Sequence, residues 1–275
     1  MRCLSMKKEY ILPRKYPYSI GGSEIEMIAR LSYEKTNIIT LEKLKEYFGR
    51  YRSLVQLVYQ LKKKGILRSI KKGVYWYSPL DAGPGGRGVE TNLVPAIYFP
   101  KNNYYIGYST QYNAYGFTEQ IFQTVYVLNT SLQRERVISG ITYKFIKVSP
   151  ERMYGIEKKN IANTEVLFSD KERTLVDLFY FSDPIGGLNA AFNVLNEQIS
   201  DKKIDLDKFI DYAVRFPSKS TRKRIGYALA LAKVSDVKLR ALNNSIEDSS
   251  LITLFGGKSR KGVINNKWRI IIDAA

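Results

Sequence analysis

Histidine is absent from this 275-residue chain, and cysteine occurs once, as Cys3. The first absence removes imidazole acid–base chemistry, triads with a histidine base, and histidine-ligated metals. The second removes any disulfide framework or cysteine-built zinc site. No apolar run approaches the ~20 residues needed to span a bilayer. The opening segment, residues 1–13, is charged and lacks the apolar centre of a secretory signal. The expectation is a cytoplasmic protein with no membrane partner, no metal and no cofactor. Acidic residues are also scarce: 26 Asp and Glu stand against 44 Lys and Arg, a formal charge of +18. The excess is uneven, with 18 Lys and Arg against 8 Asp and Glu in residues 1–90, and 26 against 18 in the rest. One third of the chain thus holds more than half of the surplus, which points to an anionic partner for that third.

What is present is globular in character. Hydrophobic residues make up 44% of the chain and tyrosine alone occurs 21 times, against the composition of disordered segments. The length suits two domains. The most informative stretch is 50–77. Leu54, Leu57, Val58 and Leu61 recur at the spacing of one apolar helix stripe. At about 100° per residue, Arg52, Gln56, Tyr59 and Lys63 gather on the opposite face, which is basic, aromatic and capable of bidentate hydrogen bonding, the chemistry that reads base edges. Arg50 and Ser53 lie at the helix start, where side chains and free N–H groups can hold a phosphate. Gly65 can cap the helix, and Ile66–Ile70 and Val74–Tyr77 read as two strands around Lys71-Lys72-Gly73. Arg68, Lys71 and Lys72 therefore belong to a basic hairpin suited to DNA backbone or a minor groove.

Upstream, Ser23-Glu24-Ile25-Glu26 has the form of a capping box, predicting a helix over 23–34 with Ile25, Ile28, Ala29 and Leu31 inward. Thr40 is the expected N-cap of a second helix ending at Gly49, with Leu41, Leu44 and Phe48 on one stripe. Three helices and a two-stranded wing make a winged helix-turn-helix domain over residues 1–79. Residues 80–92 are rich in glycine and proline; they read as a linker in preference to a phosphate cradle, because Leu93-Val94-Pro95 looks extended. Residues 93–275 form an α+β domain: a short helix at 109–115, strands near 123–128, 141–148 and 166–168, helices opening at Asp170 and near 187–198, 205–215, 219–232 and 235–243, and a final strand at 268–272.

Several motifs resemble those of AbiEi-type antitoxins, the transcriptional regulators of type IV abortive-infection toxin–antitoxin systems. The hairpin sequence Lys71-Lys72-Gly73-Val74-Tyr75 is similar to that of the family's N-terminal domain. In the second domain, Tyr115-Gly116-Phe117-Thr118-Glu119-Gln120 resembles a G-L-T-E-Q-like turn. Residues Ser169 to Asp177 resemble an S-D-x-E-R-T-L-L-D helix start. Gly186-Gly187 matches a glycine pair, and Tyr212 to Arg215 with Arg224 to Leu229 resemble Y-A-x-R and R-L-G-Y-L-L. The likeness runs in order over roughly residues 23–272, with a more glycine-rich linker and Ala230 where the family carries an acid. The resemblance implies a repressor of its own operon that binds inverted repeats in double-stranded DNA. It also implies a C-terminal domain needed for antitoxin activity against a nucleotidyltransferase toxin, without a stable complex.

Two further clusters bear on function. Lys219, Arg222 and Lys223, with Arg224, sit at a predicted helix start, where cations oppose the helix dipole. This cluster can extend DNA contact, bind RNA such as tRNA, or be a solvated basic face with Arg224 packed inward; Lys258, Arg260 and Lys261 pose the same question. Glu157-Lys158-Lys159, in an expected polar loop, with Asp170 and Glu172, can be forced into a metal-nuclease site, but no upstream Asp completes the ligation. A cheaper account places Asp170 and Glu172 in the first turn of a helix and pairs Asp177 with Arg173 at i,i+4. The expectation is therefore no enzyme and no catalytic residue, with a ligand- or RNA-binding second domain as the alternative to an antitoxin.

Overall fold

The structure, a computed structural model, describes residues 19–49, 51–82, 88–257 and 261–273. Cys3, Arg50, the Arg52 side chain, residues 83–87, Lys258 and Arg260 lie outside the described part. The chain divides into two compact units, Met1–Glu90 and Thr91–Ala275, and the division falls inside the glycine-rich segment.

The first unit runs α1 (Gly22–Tyr33), β1 (Ile38–Thr40), α2 (Leu41–Phe48), α3 (Tyr51–Lys63), β2 (Leu67–Lys71) and β3 (Val74–Tyr77). The N-cap of α1 lies two residues before the Ser23 that the capping-box reading offers. Gly21 is the N-cap, its N–H donates to Glu24 Oε2 at 2.7 Å, and Ser23 lies inside the helix. The earlier register wins because it also turns Glu24 toward Lys64, whose Nζ lies 2.5 Å away. Glu24, Met27, Ile28 and Leu31 then form the buried stripe, while Ile25, expected inside, is 56% exposed. Thr40 caps α2 as expected, its Oγ1 accepting the Lys43 N–H at 3.2 Å. Gly49, at φ 66°, ends it. Leu54, Val58 and Leu61 of α3 are buried. Beyond them Gly65 is left-handed at φ 75°, and the Ile66 N–H reaches back to Leu61 O at 3.0 Å, closing the helix end.

The strands form an antiparallel sheet in the order β1-β3-β2. Strand β1 is only three residues long, too short to leave a periodic signal. It ties the hairpin to the helices by pairing with β3, and beside it the Leu41 N–H at the start of α2 donates to Gly73 O at 2.7 Å. Met27, Leu31, Leu44, Leu54, Leu61 and Leu67 fill the core under the sheet, and the Tyr77 hydroxyl lies 2.6 Å from Ser32 Oγ.

The second unit begins with α4 (Leu93–Tyr98), which corrects the expectation of an extended segment. Pro95 fits there because it stands in the first turn, where no N–H partner is needed. Then come β4 (Tyr104–Gly107), α5 (Ser109–Ala114), β5 (Thr124–Asn129), β6 (Arg134–Ile138), β7 (Ile141–Lys147), β8 (Ile156–Ile161) and β9 (Thr164–Ser169). These strands form one mixed sheet in the order β6-β7-β5-β4-β9-β8. Glu157-Lys158-Lys159, expected in a loop, lies on the edge strand β8, where alternating charges discourage further pairing. Five helices follow: α6 (Lys171–Tyr180), α7 (Leu188–Ser200), α8 (Leu206–Arg215), α9 (Lys219–Leu231) and α10 (Asp236–Asn244). A small sheet of β10 (Ile252–Thr253), β11 (Gly262–Asn265) and β12 (Ile270–Asp273) closes the chain in the order β10-β12-β11.

Trp268 explains a glycine in α9. Its indole is fully buried, and a Cβ on Gly226 would lie 2.0 Å from the ring. Although alanine is the better helix former by about 1 kcal/mol, Gly226→Ala should destabilise the second unit by about 2–3 kcal/mol through overpacking. Urea unfolding followed by Trp268 fluorescence in a Trp76→Phe background measures it.

Candidate nucleic-acid interface

On α3, Ser53, Gln56, Tyr59 and Lys63 are all exposed, Tyr59 at 61%, opposite the buried stripe. One rigid element thus carries four of the expected DNA contacts together. Lys64, which follows Lys63, is turned away from solvent. It donates to Glu24 and to Ser19 O at 2.7 Å, and its ammonium holds the Glu24 carboxyl below the usual range. On one flank of the face, Ser53, Gln56 and Gln60 border a hollow of about 360 Å³ shared with Ser23, Glu26 and Phe48. On the hairpin, Arg68 and Lys71 are partly exposed on β2 and Lys72 is exposed at the turn.

In the second basic cluster, Lys223, Arg222 and Arg224 turn toward backbone carbonyls of their own unit, while Lys219 stays exposed. Lys223 is 1% exposed, and its Nζ donates to Ser250 O. Arg222, half-buried, donates from Nη1 to Ser245 O at 2.9 Å and also to Phe216 O. Arg224 Nε donates to Leu254 O at 2.9 Å. Lys219 is exposed, yet its Nζ reaches Glu247 O at 3.3 Å. These cations hold the backbone carbonyls of the segment that wraps the start of α9, which is why they tolerate the unfavourable end of its dipole. Burial lowers the pKa of Arg222, Lys223 and Arg224.

The acidic residues weighed as a nuclease site are equally committed. Asp170 caps α6 by accepting the Arg173 N–H at 2.8 Å, and it receives the Tyr212 hydroxyl at 3.0 Å. Glu172 accepts from Lys208 at 2.8 Å and from the Asp205 N–H at 3.1 Å. Glu157 accepts the Tyr115 hydroxyl at 2.9 Å and pairs with Lys159 at 2.6 Å. Among the described residues no group of three or more His, Cys, Asp or Glu side chains is placed to hold a metal ion.

The expected Arg173–Asp177 pair is present at 3.0 Å, but it is half of a larger centre. Arg152 reaches the same Oδ1 at 3.1 Å, and all three side chains are nearly or fully buried. The Tyr105 hydroxyl accepts from Arg173 at 2.8 Å and lies 3.4 Å from Asp177 Oδ2. The Tyr108 hydroxyl accepts from Arg152 at 3.0 Å. Two guanidiniums share one carboxylate, and aromatic faces take up the rest. Arg173 lies 4.5 Å from the Tyr154 ring and 5.1 Å from Phe216, while Arg152 lies 4.6 Å from Tyr180. Burial opposes charge on both arginines, but Asp177 and the tyrosine hydroxyls outweigh it and raise their pKa. Tyr108 carries φ 53°, a strained backbone for a non-glycine residue, held by the Arg152 bond and by rings of Tyr126 and Phe181. Arg152 gave no sequence signal, since a lone arginine after a proline reads as solvated.

Among solved structures, the crystal structure of the RV2827C protein from Mycobacterium tuberculosis is similar, with a TM-score of 0.66, 13% sequence identity and coverage of 94% of each chain. At that identity the likeness concerns the fold. No protein-family model and no curated protein matches the chain. Among the described residues no helix is long and apolar enough to cross a membrane.

Two predictions follow from the buried centre. Asp177→Ala leaves two guanidiniums uncompensated and should cost about 3–5 kcal/mol, whereas exposed Lys72→Ala should stay within about 0.5 kcal/mol; urea titration compares them. The second concerns alkali. Burial pushes the hydroxyls of Tyr104 and Tyr154 from 10.0 up to about 12, and those of Tyr105 and Tyr112 upward as well. These groups keep their protons longer folded than unfolded, so stability present below pH about 10 is lost as pH rises toward 12. Circular dichroism and tyrosinate absorbance should change together over that window.

Proposed function

We propose that this chain is a sequence-specific DNA-binding transcriptional repressor whose first unit is a winged helix-turn-helix. The observation that carries the reading is the exposed polar, aromatic and basic face of α3, in a unit whose order is helix, strand, helix, helix and hairpin, with Lys71 and Lys72 at the hairpin end. A helix of this kind fits the major groove, where Gln56 suits adenine and Arg52 guanine, while Ser53, Lys63, Arg68, Lys71 and Lys72 hold phosphates. The concentration of positive charge in residues 1–90 favours the same partner. The resemblance to AbiEi-type antitoxins supports a narrower role: repression of the chain's own operon at inverted repeats, and an antitoxin function of the second unit against a nucleotidyltransferase. No direct contact with that toxin is part of the proposal. A nuclease is disfavoured, because Asp170, Glu172 and Glu157 already serve cations and hydroxyls.

A gel-shift titration on DNA from the chain's own upstream region, against a scrambled duplex at two salt concentrations, tests the core of this reading. Tight, sequence-dependent binding that weakens steeply with salt is expected. Gln56→Ala should lose about 1–3 kcal/mol of discrimination. Lys72→Ala should weaken all duplexes alike and lower the salt slope by about 0.9. Equal, weak binding to both duplexes would sink it. Growth rescue by the full chain, co-expressed with the toxin encoded beside it, tests the antitoxin role.

A further inference from the structure

The exposed face of α3 has a polar side and an apolar side, and Val55 on the apolar side plays no part in the reading above. Gln56 and Lys63 form its polar half. Beside them Val55 is 46% exposed and Tyr59 61% exposed. The two stand at i and i+4, about 40° apart around the helix and with Cβ atoms about 5–6 Å apart. Single exposed apolar residues need no explanation, but these two form a strip on the one face that also carries Gln56 and Lys63, with exposed Lys62 on its outer side. The core of the unit is complete without them: Leu54, Val58 and Leu61 fill the buried stripe. Val55 is also a poor choice for a solvated helix position, where a β-branched residue costs rotamer freedom.

We infer that Val55 and Tyr59 read the 5-methyl groups of thymines in the major groove. The inference rests on the proposed DNA-binding function and deepens it by naming what this helix face selects. Four chemistries decide between DNA and a protein partner. The strip is bordered by lysines, which suits phosphate-lined walls on either side of a groove. It adjoins Gln56, whose amide matches the N6 and N7 of adenine, the base paired to thymine. Among the atoms a major groove presents, the thymine methyl is the apolar one. The strip's length also fits, since four residues of helix advance about 6 Å, close to two base steps at about 3.4 Å each. The target therefore carries thymines at adjacent or next-adjacent positions beside an adenine read by Gln56.

The experiment selects duplexes from a random-sequence library with the full-length chain, then resynthesises the enriched duplex with thymine or with deoxyuridine, which lacks only the methyl. Each buried methyl should be worth about four-fold in affinity, so deoxyuridine at the contacted positions should weaken binding by about four-fold for one and more for two. Val55→Ala and Tyr59→Ala should each reduce that penalty, whereas Tyr59→Phe, which keeps the ring, should preserve it. Both positions are exposed, so circular dichroism should find the variants folded like the parent. Replacing cytosines in the same duplex by 5-methylcytosine separates thymine reading from capture of any pyrimidine methyl: a gain in affinity at unrelated positions would overturn the assignment to thymine. An enriched duplex bound equally well with deoxyuridine, or a penalty untouched by both alanine variants, overturns the inference while leaving DNA binding intact. Failure to enrich any sequence overturns the DNA-binding reading itself, and the methyl strip with it.

Discussion

A single carboxylate with two guanidiniums on it organises the second unit. Asp177 and Arg173 come from α6, Arg152 from the turn after β7, and the hydroxyls that complete the centre from β4 and the start of α5. Phe216 and Tyr154, whose rings cover the arginines, belong to the end of α8 and the turn before β8. Sheet and helices therefore meet at one buried charge centre. Such a centre is a poor source of net stability, because desolvating three ions costs nearly what their attraction returns. It is demanding in another sense: each member must be present and oriented for the others to be tolerated. That demand also explains the strained backbone of Tyr108, since its hydroxyl must reach Arg152.

The same logic sorts the many cations of this chain. In the second unit, Arg152, Arg173, Arg222, Lys223 and Arg224 are consumed by the fold, donating to carboxylate, hydroxyls and backbone carbonyls. In the first unit, Lys64 is consumed in this way by Glu24, while Lys62 and Lys72 are exposed at the surface. A count of positive charges does not distinguish these uses; where the carbonyls and carboxylates end up does. Three of the four cations at the start of α9 are structural for this reason.

The resemblance to the antitoxin family takes on a physical meaning here. Ser169, Asp170, Glu172, Arg173, Thr174 and Asp177 are all engaged within the unit, as hydroxyl pair, helix cap, ion pairs and buried centre. Tyr212 supports the Asp170 cap, and Gly226 makes room for Trp268. The residues of these motifs assemble the architecture of the unit, so they speak to the fold more directly than to a surface that meets a partner.

Local rules carried far in this sequence. The Thr40 cap, the glycine ends at Gly49 and Gly65, the apolar stripe of α3, the hairpin, and helices α6 to α10 were all legible from spacing and capping chemistry, because those signals act over three or four residues; Asp170, read as part of the first turn of α6, is instead its N-cap. The exposed side of α3 follows from the same periodicity. What needed tertiary structure were choices between partners far apart in the chain. Glu24 over Glu26 at the start of α1 was decided by Lys64, forty residues away. The short strand β1 and the charged strand β8 owe their state to pairing with β3 and β9. The sharing of Asp177 by Arg152 and the inward turn of Lys223 depend on which groups the fold brings alongside. Sequence alone determined where most of the helices form and which face of α3 is left to solvent. Only the tertiary structure decided which charges remain there, since a charge is spent or free according to neighbours that no local pattern encodes.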